Sequence, residues 1–138
     1  EQGGRRLAVA VDTDLVPARG DRALLKRVLV NLVVNALRHS GSDEVQIAGA
    51  PGPGHAEVTL NVIDRGYGIP EREHTRIFEK FRTVRRSPTD DPGGDTGLGL
   101  PFCRLATEAM GGRIALTSVP GATTFAVTLP AYRRAPTY

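Results

Sequence analysis

The chain has 138 residues, enough for one domain with its own core, and its 40% hydrophobic and 24% charged residues describe a globular protein with no run near the roughly 18 apolar residues of a membrane span. The net charge of +3 does not make it a nucleic-acid binder: acids and bases are mixed along the chain, the one basic concentration (Lys80, Arg82, Arg85, Arg86) has no interleaved aromatic residues, and Trp is absent. The single Cys103 excludes an internal disulfide and a cysteine metal cluster, which suits a reducing, cytoplasmic setting.

Arg6 to Asp12 alternates Leu7, Val9 and Val11 and reads as a strand, followed by a turn at Pro17 and Gly20. Asp21 is placed to cap a long helix running to about His39, which Ser40-Gly41 closes. On that helix Asn31, Asn35 and Arg38 fall at i, i+4 and i+7 and share one stripe, beside a broad apolar surface from Leu25, Val28, Leu29, Leu32, Val33, Ala36 and Leu37. A carboxamide oxygen is a hard ligand, and magnesium takes few protein ligands while water and phosphate oxygens complete its shell. One Asn with an Arg a turn away therefore suits a magnesium nucleotide. A solvated polar face would read the same way, and the stripe alone does not choose.

Val45 to Ile47 makes a second strand, Ala50 to Gly54 a hairpin-like loop, and Val58 to Asp64 a third strand. Val58, Leu60, Val62 and Asp64 share one face of it, which aims a carboxylate toward the helices at the strand's end. Gly66 and Gly68 follow at once and permit close backbone approach to a ligand. Such an Asp can accept a hydrogen bond from an amino group like that of adenine, or can simply open an Asp-x-Gly turn. Glu71 to Phe81 predicts a short helix, and residues 82–96 a mobile loop rich in Pro, Gly and Asp. Gly93 to Leu100 leads into a helix from about Leu98 to Met110. Glycines before a helix expose N–H groups to an anion, although a flexible linker has the same composition, and the spacing is neither a dinucleotide fingerprint nor a P-loop.

Pro101 fits the first helical turn and Gly111-Gly112 the helix end. Strands at Arg113–Ser118 and Thr124–Leu129 complete the pattern, with a frayed tail after Pro130. There is no internal repeat. The sum is one α/β two-layer sandwich, a mixed and mostly antiparallel sheet of about five strands covered on one face by about three helices. The chain starts at Glu1 without a signal-peptide pattern, so it reads as a segment of a longer protein, with any membrane anchor belonging to that parent.

In this order the pieces resemble the ATP-binding domain of sensor histidine kinases, a Bergerat-type fold shared with gyrase, the heat-shock chaperone and mismatch-repair ATPases. Asn31 to Ser40 is similar to the family's asparagine box, Asp64 to Pro70 to its first glycine box, Ile77 to Phe81 to its phenylalanine box, and Gly97 to Leu100 to its second glycine box. The resemblance covers about residues 6–131 and implies ATP and Mg2+ as cofactors. Asn35 is then the magnesium ligand with Asn31 assisting, Arg38 lies near the phosphates, and His39 flanks the nucleotide. Asp64 reads the adenine amino group, while Gly66, Gly68 and Ile69 form the turn beside it. Residues 82–96 are the lid, ending at Thr96, and Gly97, Leu98, Gly99 and Leu100 supply hinge and amide donors. Lys80 or Arg82 touches the γ-phosphate or is simply a solvated surface charge, Thr124 lies on the adenine side, and Phe78 and Phe81 anchor core or lid. Thr96 stands where the family often has Gly or Ser, and the turn at 120–124 is about one residue shorter than usual or lacks a second Gly.

None of His39, His55 and His74 precedes an acidic residue, so the phosphoacceptor histidine lies outside the segment. Where the superfamily's ATPases and serine kinases carry a Glu four residues before the magnesium Asn, this chain has Asn31, and an amide is no general base. The resemblance thus implies a catalytic domain that gives the γ-phosphate to a histidine on an upstream dimerisation domain, for relay to a response regulator receiver domain. A superfamily ATPase, an anti-sigma serine kinase and a non-catalytic nucleotide-binding module are the alternatives.

Overall fold

A computed structural model describes residues 6–11, 18, 20–39, 41, 44–54, 56–80 and 99–131. The elements are β1 (Arg6–Val11), α1 (Arg22–His39), β2 (Glu44–Pro51), β3 (Glu57–Asp64), α2 (Gly99–Ala109), β4 (Arg113–Val119) and β5 (Ala122–Pro130). They build one five-stranded sheet in the order β1-β2-β3-β5-β4. β1 runs parallel to β2 because α1 carries the chain back between them, and the remaining pairs are antiparallel. α1 lies over β2 and β3, α2 over β4 and β5, and the helices pack against each other. The mixed sheet with one helical face matches the sequence reading.

Local signals in the sequence set the helix ends. The Asp21 carboxylate accepts the Leu24 N–H at 3.0 Å and the Asp21 carbonyl accepts the Leu25 N–H at 2.9 Å, an N-cap of the expected kind. At the end of α2, Gly112 N–H bonds the Thr107 carbonyl and Gly111 N–H the Glu108 carbonyl, both at 3.0 Å. This is a Schellman motif, and it needs the positive φ of 82° that Gly111 supplies.

Between the layers, α1 buries Val28, Leu32 and Ala36, spaced one turn apart, against Val45, Val62, Phe125, Val127 and Leu129 of the sheet. Phe78 meets the Phe125 ring edge-on, with centroids 6.2 Å apart. On the opposite face of the sheet the buried hydroxyls of Thr59 and Thr128 satisfy each other at 2.9 Å. The helix predicted over Glu71–Phe81 is instead two 3-10 turns, Glu71–Glu73 and Arg76–Phe78. Its bonds are i→i+3 throughout, from Glu73 to Pro70, His74 to Glu71 and Glu79 to Arg76. Ile77 is the one residue these turns bury, too narrow an apolar face to sustain a packed helix. No helix among the described residues is long and apolar enough to cross a membrane.

Cys103 is fully buried in α2, its Sγ 3.5 Å from the Val28 carbonyl, and burial pushes its thiol from an ordinary 9.0 up to about 12. The reactive thiolate is therefore suppressed at neutral pH. Iodoacetamide at pH 8 should leave the native chain unmodified and add one label after denaturation, as read by intact mass. Labelling of the native chain at the denatured rate would contradict the packing.

Candidate functional site

Asp64 ends β3 with 2% of its surface exposed. It is on the core face with Val58 and Val62, as period two requires, and stands in register with Val45 of β2 and Thr123 of β5. Its Oδ1 accepts the Gly66 N–H at 3.0 Å, folding the chain back into an Asx-type turn. That turn lies against the β4–β5 hairpin. Gly121 N–H bonds the Gly66 carbonyl at 2.9 Å, and a side chain on Gly68, whose φ is 82°, would bring its Cβ to 3.1 Å from the Val119 carbonyl oxygen. Only glycine combines that conformation with that approach. Next to it, Ile69 N–H donates to Ser118 Oγ at 2.7 Å, and Ser118 Oγ shares a hydrogen with Thr123 Oγ1 at 2.6 Å.

Thr124, expected on the adenine side, pairs with Ile63 and Thr117 on the far face of the sheet. Fully buried Thr123 is the residue opposite Asp64. The hairpin closes with Val119 opposite Ala122, so its loop is only Pro120-Gly121, and a one-residue difference in a loop reverses which side chains face inward. The alternation could have found Thr123, because it shares parity with Phe125, Val127 and Leu129.

On α1, Asn31 and Asn35 are half-buried at the flank of the core stripe and Arg38 is exposed. Asn31 Nδ2 donates to the Arg27 carbonyl at 2.9 Å, which leaves Oδ1 as the group turned away from its own helix. A Cβ on Gly99, the first residue of α2, would lie 3.2 Å from that oxygen. The Arg27 guanidinium sits 4.4 Å above the Phe102 ring, a second tie between the helices. Asn31 of the amide stripe and Gly99 at the start of α2, 68 positions apart by their numbers 31 and 99, therefore meet.

Other candidates separate in space. The Ile69 side chain is in the core and its N–H is already given to Ser118, and the Leu100 side chain packs against that core, so neither side chain is presented to a ligand. Lys80 is exposed just after the second 3-10 turn. The His39 side chain, Phe81, Arg82, Thr96, Gly97, Leu98 and all of residues 82–96, the expected lid, lie outside the described residues. Among the described residues no group of three or more His, Cys, Asp or Glu could hold a metal. What α1 offers is neutral amide oxygen, a donor set suited to an ion that brings anionic phosphate ligands with it.

Residues 20–133 match the family model described as histidine kinase-, DNA gyrase B- and HSP90-like ATPase. The sensor protein KdpD of Mycobacterium tuberculosis is 39% identical over 82% of this chain, and the probable sensor histidine kinase TcrY of the same organism is 40% identical over 80%. The chain spans only 13% and 23% of the lengths of these two relatives. Among solved structures, full-length ShkA in complex with AMPPNP superposes with a TM-score of 0.78 at 27% identity, covering 96% of this chain and 27% of that one. The catalytic domain of histidine kinase ThkA gives 0.75 at 28% identity, covering 93% of this chain and 80% of that one.

Proposed function

This chain belongs to the histidine kinase-, DNA gyrase B- and HSP90-like ATPase family, and on that footing we propose that it is the ATP-binding catalytic domain of a cytoplasmic two-component sensor histidine kinase module. Asp64 accepts a hydrogen bond from the adenine amino group, Gly66 and Gly68 leave room for the base, and Thr123 takes the place expected of Thr124. Asn35 holds magnesium through its amide oxygen, with Asn31 assisting, and Arg38 balances phosphate charge. Gly97 and Gly99 offer backbone N–H groups at the start of α2, and Lys80 or Arg82 approaches the γ-phosphate. His39 flanks the nucleotide, and residues 82–96, ending at Thr96, form the lid. Bound magnesium supplies charge neutralisation across the phosphates.

The observation that carries the kinase reading is the state of Asn31. Its Nδ2 is committed to Arg27, and the oxygen it turns toward α2 belongs to an amide that cannot take a proton from water at neutral pH. Phosphoryl transfer asks mainly for positioning and charge stabilisation, so a histidine arriving from another domain needs little activation here. That histidine belongs to a dimerisation domain of the parent protein, and a response regulator receiver domain takes the phosphoryl group next.

The 138-residue chain incubated with γ-labelled ATP and Mg2+ should bind nucleotide without becoming labelled. Acid-labile label should appear on the parent's dimerisation domain when that is added, and should be lost with Asn35→Ala. Acid-labile label on the isolated chain would place an acceptor inside it, and steady phosphate release abolished by Asn31→Ala would favour an ATPase.

A further inference from the structure

Ile114, Leu116 and Ser118 form the inward row of β4, so Ser118 puts a hydroxyl at the end of an apolar stripe. That hydroxyl accepts the Ile69 N–H at 2.7 Å and is 2.6 Å from the Thr123 hydroxyl, where either oxygen can donate. The Ile69 carbonyl is taken as well, by His74 Nε2 at 2.8 Å. A carbonyl only accepts, so His74 carries a hydrogen on Nε2. Both backbone groups of Ile69 are therefore fixed by side chains, one from β4 and one from the segment between the two 3-10 turns, while its own side chain is 7% exposed in the core.

These bonds act on the turn that carries the Asp64 carboxylate. Gly66 N–H is the donor that holds Asp64 Oδ1, Gly66 is tied to Gly121, and Gly68 abuts Val119. Ser118 makes the last tie in this row, and it bonds the same Thr123 that stands opposite Asp64. One hydrogen-bonded chain thus runs from His74 through the Ile69 peptide groups and Ser118 to Thr123.

We infer that His74 and Ser118 are positioning residues for base recognition: by locking the 65–69 turn onto the β4–β5 hairpin they set the Asp64 carboxylate and the Thr123 hydroxyl at a fixed spacing, so preference for an amino-bearing purine depends on two residues that touch no nucleotide. This rests on the assignment of Asp64 to the adenine amino group.

The test uses pairs of variants that differ by a hydrogen-bonding group at nearly constant shape, Ser118→Thr against Ser118→Val and His74→Gln against His74→Leu. ATP and ITP, which has a carbonyl in place of the amino group, are titrated calorimetrically into the 138-residue chain, with Asp64→Asn as reference. Ser118→Val and His74→Leu should each bind ATP roughly tenfold more weakly than their partners, with ITP affinity within about twofold. The ATP-over-ITP preference therefore shrinks, and the Thr and Gln variants restore it. Equal losses for ATP and ITP would mean a structural role only and would overturn the inference. So would equal ATP affinity within each pair while Asp64→Asn weakens ATP, and in that case the ATP assignment itself survives. If Asp64→Asn leaves ATP affinity unchanged, that assignment fails and takes the inference with it. Should Ser118→Val not fold, the His74 pair decides alone.

Discussion

Asp64→Asn should weaken ATP binding by roughly a hundredfold while the fold persists, the largest functional effect expected of a single substitution here. Asp64 is 2% exposed and its Oδ1 accepts the Gly66 N–H, and because a carboxylate has no hydrogen to donate it meets a ligand as an acceptor. An Asn that keeps its oxygen on Gly66 presents an NH2 where the carboxylate had an oxygen, and that NH2 faces the adenine amino group donor to donor. The loss combines a charge-assisted bond, about 1.5–3 kcal/mol, with the mismatch that replaces it. The same NH2 can donate to the carbonyl of inosine, so ITP should gain as ATP loses. Titration of both nucleotides reads the two changes together. Unchanged ATP affinity would remove Asp64 from the base site.

Gly112→Ala should cost about 3 kcal/mol and lower the melting temperature by about 10 °C, without any change near the nucleotide site. A Cβ there would be driven into the Thr128 carbonyl oxygen and would lie 2.8 Å from Leu129 Cδ2 and 3.1 Å from the Thr128 carbonyl carbon. Two of those atoms are backbone of β5, held on one side by β3 and on the other by β4, so they cannot give way locally. Gly111→Ala is the control. Its Cβ would meet only Pro130 Cγ, at 3.6 Å, and its cost is the positive φ alone, about 1 kcal/mol. Thermal melts followed by circular dichroism should separate the two, and equal shifts would contradict the close approach of α2's end to β5.

What the sequence made legible was local or periodic. The Asp21 cap, the Gly111-Gly112 helix end, the core stripe of α1 and the inward aim of Asp64 each follow from a few neighbouring residues. Less legible were the features set by partners far along the chain. The parallel register of β1 on β2 depends on where α1 delivers the chain. Ser118 could not be singled out, because its partner Ile69 is 49 positions away and uses only backbone. His74 gave no signal for the same reason, since it bonds a carbonyl that every residue has. Thr123 was within reach of a strict reading of strand parity, since the one position between it and Thr124 exchanges one face of the sheet for the other. The meeting of Asn31 with Gly99 joins two segments that periodicity treats as unrelated.

The strand order has a bearing on how the chain comes into being. β5 is the last strand among the described residues, yet it lies between β3 and β4 rather than at the rim. As the polypeptide leaves the ribosome, β3 therefore keeps a bare edge, and α2 has an incomplete floor, until residues 122–130 have been made. A nascent chain halted before Ala122 would lack Phe125, Val127 and Leu129 from its core and Thr123 from opposite Asp64. The surroundings of Asp64 are thus assembled from residues translated far apart in time, and they are complete only once synthesis has passed β5.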